Sequence, residues 1–282
     1  MKRNVRDFSD LIRYYTLKEL GRLGYGHYGG ALSIVETMAV LYGDEMKYNP
    51  ENPKDENRDY FVLSKGHAGP SYYATLALSG FFPLEKLNTL NENGTNLPSH
   101  PDRQKVEGVD MTTGSLGQGI SAAAGIAYYL KTKNKNNRVY CIVGDGELNE
   151  GQCWEAFMFI AHHNLNNLVV LIDDNKKQLD GYTKDICNMF DLEKKFDSFG
   201  FNPITVEGNN VESIKNGFKL AKEYKDRPTA IILDTVKGAG VEYIENTVSN
   251  HHMRLDEEAK TEINKEMKKL HDSLVERGVL ND

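Results

Sequence analysis

The 282-residue sequence is short of cysteine, of positive charge and of long apolar runs, and each shortage removes a class of protein. Its three cysteines, Cys141, Cys153 and Cys187, are odd in number and paired by no motif, so they read as reduced thiols of a cytoplasmic protein. A net charge of −7 offers no surface for nucleic acid. No apolar run approaches the roughly 18 residues of a membrane helix. The opening MKRNVRDFSDLIRYY is charged and lacks an apolar core, so no secretory leader is expected. Repeats, low-complexity tracts and linkers are missing too. No G-x-G-x-x-G follows the first strand, and Gly24 to Gly30 joins two helices, which argues against a nicotinamide-dependent dehydrogenase.

What is present is ordinary globular material, 39% hydrophobic and 27% charged, enough for a sizeable core. Phe8, Leu11, Ile12, Tyr15 and Leu20 predict an amphipathic helix over 6–21. A second helix is expected over 31–42, with Leu32, Val35, Met38, Ala39 and Tyr42 inward. A strand follows at 60–63, then a helix beginning near Pro70. Residues 84–110 read as a helix and an irregular loop. A small-residue helix is expected over 117–131. Its Gly117, Ser121 and Gly125 share one face, which suits internal packing or a subunit boundary. Later come a loop over 176–189, a helix to about 199, strands at 203–206 and 229–235, and a helix over 211–225. From Asp256 a charged helix carries Ile263, Met267, Leu270 and Leu274 as one apolar stripe. The β–α alternation predicts a mainly parallel, doubly wound α/β sheet with helices on both faces. We read residues 1–282 as one domain, with a C-terminal helical extension at about 256–282.

The most informative stretch is RVYCIVGDGELNEGQCWEAFMFIAHHNLNNLVVLIDDN, residues 138–175. Two apolar runs flank a helical segment. The first ends in Gly144-Asp145-Gly146, the second in Asp173-Asp174-Asn175. A right-handed crossover lays such strands parallel, with both carboxyl ends at the edge where open α/β sheets bind ligands. Asp145 and Asn175 can then converge on one ion. Mg²⁺ wants near-octahedral oxygens and is usually held by one or two protein groups plus ligand phosphates. A main-chain carbonyl just beyond Asn175, such as that of Lys177, supplies a third. Gly144 and Gly146 allow backbone to approach a diphosphate closely.

Eight histidines are present, and His27, His67, His100 and His251 fall in turns rich in Gly, Pro or Ser, where function concentrates. Imidazole near physiological pH can give or take a proton. His252 is an alternative to His251. His162 and His163, adjacent on a helix, are expected to point apart.

These pieces together resemble the N-terminal part of a transketolase, from about residue 8 to 255. They are Gly26-His27, Ser64-Lys65-Gly66-His67, Ser99-His100-Pro101, residues 112–119, GDGELNEGQ, DDNKKQLDG and Val236-Lys237-Gly238 followed by His251. The resemblance implies thiamine diphosphate and Mg²⁺ (or Ca²⁺ or Mn²⁺) as cofactors, and transfer of a two-carbon ketol unit from a ketose or ketose phosphate to an aldose. Asp145, Asn175 and the Lys177 carbonyl would hold the metal. His67, Gly146, Asn175 and His251 would meet the diphosphate end. Backbone at Gly114, Ser115 and Leu116 would meet the aminopyrimidine. His27, His100 and His251 would lie at the reacting carbon. Glu150 would sit near a subunit boundary, in a carboxylate network. Single-chain transketolases continue into further domains, so this chain resembles one subunit of a split enzyme. Its partner would supply the activating glutamate and the arginines that bind the donor phosphate, in an α2β2 assembly. Tyr25 and Tyr28 stand where the family has smaller residues, so they either reshape the donor mouth or pack on the partner. A subunit of a 2-oxo acid dehydrogenase and a non-catalytic diphosphate-binding module are the competing readings.

Overall fold

The computed structural model describes residues 4–281. Five parallel strands form the main sheet: β1 (Tyr60–Leu63), β2 (Val139–Gly144), β3 (Leu168–Asp174), β4 (Asn202–Glu207) and β5 (Thr229–Asp234). Their spatial order is β1-β2-β3-β5-β4. Both faces are covered, and the strands show why. Tyr140, Ile142, Val169, Leu171, Ile231 and Leu233 enter one apolar cluster. Their alternates, Val139, Cys141, Val143, Val170, Ile172 and Ile232, enter the other. Side chains of a strand alternate between faces, so only a continuous apolar run can fill both. The helices Val5–Leu23, Val35–Val40, Gly69–Leu78 and Val211–Glu223 cover the first face. Gln118–Thr132, Gly151–His162 and Leu192–Ser198 cover the second.

Local chemistry sets the helix ends. Asn4 accepts from the amides of Arg6 and Asp7 and starts the first helix. Gly24, at φ 76°, ends it in a left-handed turn that bonds back to Leu20. Asp256 caps the last helix, Glu257–Glu276, by accepting from Ala259. No helix of the described residues is long and apolar enough to cross a membrane.

Three expectations need correction. The helix expected over 31–42 is broken into Tyr28–Leu32, Val35–Val40 and a π-turn at Leu41–Glu45. The break falls at Ser33, whose hydroxyl is bonded to Asp173 under the carboxyl edge of the sheet. Its predicted inward residues are nonetheless all buried. In 84–110 only the 3-10 turn Leu84–Thr89 is helical. Asn91 and Gly94, at φ 58° and 81°, turn the chain where a helix would have continued. The loop expected after Asn175 contains a hairpin, Lys177–Gln178 with Gly181–Tyr182. The small-residue face of Gln118–Thr132 is internal at one end, where Ser121 accepts from Gln152, and open at Gly125.

A second, two-stranded ribbon pairs Tyr25 with Arg254 and Gly26 with Met253, antiparallel. It brings the segment near residue 27 beside the segment near residue 251.

Candidate functional site

Strands β2 and β3 are adjacent, with Val139 opposite Leu168 and Gly144 opposite Asp173. Asp145 and Asn175 therefore leave the same edge from neighbouring strands. Both line a cleft of about 310 Å³, shared with Lys65, His67, Leu116, Gly146, Glu150, Lys177, Lys237 and His251.

Asp145 is the most unusual group in it. Its Oδ1 accepts from the Gly146 amide at 2.8 Å. Its Oδ2 is buried and has no partner. Burial, and next the charge of Asp173, push its carboxyl up to about 7. A buried carboxylate oxygen without a donor is costly, and a cation would relieve it. Asn175 is oriented from below: its Nδ2 donates to Asp173 at 2.8 Å, which leaves Oδ1 with one weak bond from the Lys177 amide at 3.2 Å. The Lys177 carbonyl accepts from Lys237 Nζ at 2.8 Å. A carbonyl has a second lone pair, so this bond limits that oxygen without closing it. No three His, Cys, Asp or Glu side chains of the described residues cluster as a metal site. A cation at Asp145 would draw its other oxygens from amide, main chain and ligand, as Mg²⁺ commonly does. The residues present fit such a group.

Beneath the cleft lies a network the sequence did not reveal. Asp173 is wholly buried and accepts from Lys65 Nζ (2.6 Å), Ser33 Oγ (2.6 Å) and Thr235 Oγ1 (2.5 Å). Burial alone would raise its pKa, but Lys65 and these hydroxyls outweigh burial and hold it low. Glu147, also buried, accepts from Ser64 Oγ and from the amides of Gly117 and Gly144. It ties β1, β2 and the 112–119 segment together. In the sequence both acids stood inside the GDGELNEGQ and DDNKKQLDG motifs, but nothing there marked them as the buried members. Burial, and next the charge of Lys65, lower Lys237 to about 8, and the charge of Asp145 opposes that shift.

The four scattered histidines do come together. The His27 ring lies 5.4 Å from His67, 5.7 Å from His100 and 5.4 Å from His251, centroid to centroid. His252 joins them at 4.7 Å, so both candidates in that pair belong to the cluster. Burial, then the neighbouring imidazoles and Lys237, lower His27 to about 4. Burial and Lys237 lower His251 to about 3. His67 and His100 are lowered as well, chiefly by burial. All four are neutral at physiological pH. Lys237 Nζ lies 3.0 Å from His251 Nδ1. An ammonium only donates, so Nδ1 accepts and the His251 proton sits on Nε2.

Other predicted positions are less engaged. Gly114, at φ 148°, lies against the His100 ring, where a Cβ would stand 3.1 Å away. Leu116 lines the cleft, while Ser115 is exposed. Glu150 is exposed at the cleft margin. Tyr28 is fully buried in the core and has no surface at the mouth, whereas Tyr25 is 38% exposed. His162 and His163 do not point apart. His163 is the cap residue beyond the helix, and its ring swings to 4.8 Å from that of His162.

Residues 5–272 match the family model described as transketolase, thiamine diphosphate binding domain. The chain is 48% identical over 250 residues to the 6-deoxy-6-sulfo-D-fructose transketolase subunit SqwG of Clostridium sp., covering 89% of this chain and 91% of that one. It is 37% identical over 227 residues to one of the apulose-4-phosphate transketolase subunits of Actinobacillus succinogenes, covering 80% and 82%. Among solved structures, the transketolase of Campylobacter jejuni superposes with a TM-score of 0.87 at 27% identity. That match covers 95% of this chain and 43% of the other, so the chain spans less than half of that structure.

Proposed function

The chain belongs to the transketolase family through its thiamine diphosphate-binding domain, and from that we propose how it works as one subunit of a two-polypeptide transketolase. The enzyme moves a two-carbon ketol unit from a ketose donor to an aldose acceptor. The relatives matched over most of their length are themselves named as transketolase subunits. Their substrates, by name, end in a sulfonate or carry a phosphate. We therefore take the donor here to be a ketose with an anionic group at the end far from its carbonyl.

In our reading, residues 1–282 act as one diphosphate-binding domain of a cytoplasmic enzyme. Asp145, Asn175 and the Lys177 carbonyl hold Mg²⁺ (or Ca²⁺ or Mn²⁺). His67, Gly146 and His251 meet the diphosphate, with Lys237 beside them. Backbone at Gly114, Ser115 and Leu116 meets the aminopyrimidine. When bound, thiamine diphosphate supplies a carbon nucleophile for the donor carbonyl and an electron sink for the fragment. The protein's share is positioning and proton handling. His27, His100 and His251, neutral at working pH, contact substrate hydroxyls as donors or acceptors. His251 presents its Nε2 proton to the cleft, because Lys237 occupies Nδ1. The partner chain brings the activating glutamate, and Glu150 lies in the carboxylates at that boundary, in an α2β2 assembly.

The observation that carries this reading is Asp145 Oδ2, buried and unpartnered beside a cluster of neutral imidazoles. The test is to purify the chain, alone and with its partner polypeptide, and assay two-carbon transfer with thiamine diphosphate and Mg²⁺. Activity should require both chains. Steady turnover by this chain alone would overturn the split-site reading.

A further inference from the structure

The ribbon of Tyr25–Gly26 with Met253–Arg254 does more than close the fold. Its register places Tyr25 opposite Arg254 and Gly26 opposite Met253. Continuing one position inward sets His27 opposite His252, and their rings are 4.7 Å apart. Side chains alternate along a strand, so the Tyr25/Arg254 and His27/His252 rungs share one face. The rung between them turns the other way, and Met253 on it is buried. The face is thus a two-rung ladder. Its inner rung belongs to the imidazole cluster, and its outer rung lies about 7 Å further out, two residues along the strand. The Tyr25 ring continues the path, 6.2 Å from the His252 ring.

Arg254 stands at the outer end with an unused guanidinium. It is exposed, and among the described residues its side chain has no ion pair or hydrogen bond. Its guanidinium lies over the Tyr25 ring, 5.9 Å from the centroid. A cation against an aromatic face is held in place with its N–H fork still free. That fork matches a tetrahedral oxyanion, phosphate or sulfonate, through paired N–H···O bonds. The distance between the rungs is comparable to the carbon chain from a ketose carbonyl to its far end.

We propose that Arg254, held by Tyr25 and reached past His252, reads the anionic far end of the donor and so sets donor specificity. This rests on the transketolase reading above. It gives this chain a share in recognising the anion, in addition to its contacts with cofactor and reacting carbon.

The test uses the reconstituted two-chain enzyme and three ketose donors that differ only in the terminal group: sulfonate, phosphate or hydroxyl. The readout is kcat/KM for each anionic donor divided by that for the hydroxyl donor. Arg254→Ala should lower this ratio tenfold or more, mainly through KM, and Arg254→Lys should recover part of it. A ratio that Arg254→Ala leaves unmoved overturns the inference and spares the family reading. So does an equal loss for all three donors accompanied by weaker binding between the two chains, which would make Arg254 an interface residue. Wild-type enzyme that turns over none of the donors overturns both.

Discussion

Replacing Asp145 by asparagine should stabilise the protein while it is empty and make it weaker than wild type once cofactor is present. The folded chain raises the Asp145 pKa from the usual 3.8 to about 7, first through burial and then through Asp173. Below pH 3.8 the carboxyl is protonated in both folded and unfolded chains and contributes nothing. As pH rises from there, the unfolded chain releases the proton and the folded chain resists, so stability is lost. Above pH 7 the whole penalty is present. At about 1.36 kcal/mol per pH unit, the gap is worth about 4 kcal/mol. Water in the cleft reduces this, and we expect about 2 kcal/mol, or roughly 4–8 °C in Tm. Asparagine keeps the shape and an acceptor for the Gly146 amide but never ionises. Without ligand, Asp145→Asn should melt like wild type near pH 4 and above it by that margin at pH 8. With Mg²⁺ and thiamine diphosphate at about a hundredfold excess over Kd, wild type should gain about 2.7 kcal/mol and the variant almost nothing, which reverses the order. Differential scanning calorimetry across pH 4–8, with and without ligands, measures both effects. A margin that does not change with pH, or an equal ligand-induced gain in the two proteins, would refute the reasoning.

Three further substitutions probe the frame around the site. Lys65→Met leaves Asp173 charged, buried and without its cation, so the urea midpoint should fall by the equivalent of about 3–5 kcal/mol; an unchanged midpoint would show that the hydroxyls suffice. Gly119→Ala sets a Cβ 2.6 Å from Ser64 Cα, a backbone clash that no rotamer relieves, and should cost about 1–3 kcal/mol. Gly125→Ala in the same helix meets nothing within 4 Å and should gain up to about 1 kcal/mol, so thermal melts of the pair separate packing from helix propensity.

The strands were legible because burial on both faces leaves an unmistakable trace. Residues 139–143 and 168–172 are apolar at every position, and the structure fills both layers with their alternates. Asp145 and Asn175 were legible for the same reason, since a parallel crossover fixes where both strands end. The histidines were not: nothing in the spacing of His27, His67, His100 and His251 brings them together, and only the family resemblance grouped them. Asp173, Glu147 and Lys65 escaped because a strand end offers several polar residues and the sequence does not say which turns inward. In Asp173-Asp174-Asn175 the first is wholly buried under four donors, while the second pairs with the exposed Lys176. The helix break at Ser33 had the same cause. Its hydroxyl answers to an acid 140 residues away, which local propensity cannot register.

Unmet polar groups locate the site only when they converge. Glu19 is as buried as Asp145, and both its oxygens lack partners. Burial raises its pKa well above the usual range. It borders a smaller cavity with Tyr15, Leu84 and Leu87, where the Tyr15 phenol is also pushed up by burial and no cation or anion would relieve both groups at once. Around Asp145 the strain is shared. The carboxyl is pushed up, the Lys237 ammonium is pushed down, His67 and His251 are kept neutral, and Asn175 has its amide oxygen almost free. One divalent cation with a diphosphate would lower the cost of every one of these at once: charge for the carboxylate and the amide oxygen, anion for the lysine and the imidazole N–H groups. That joint relief, more than any one residue, is why this edge of the sheet reads as a cofactor site and the Glu19 cavity does not.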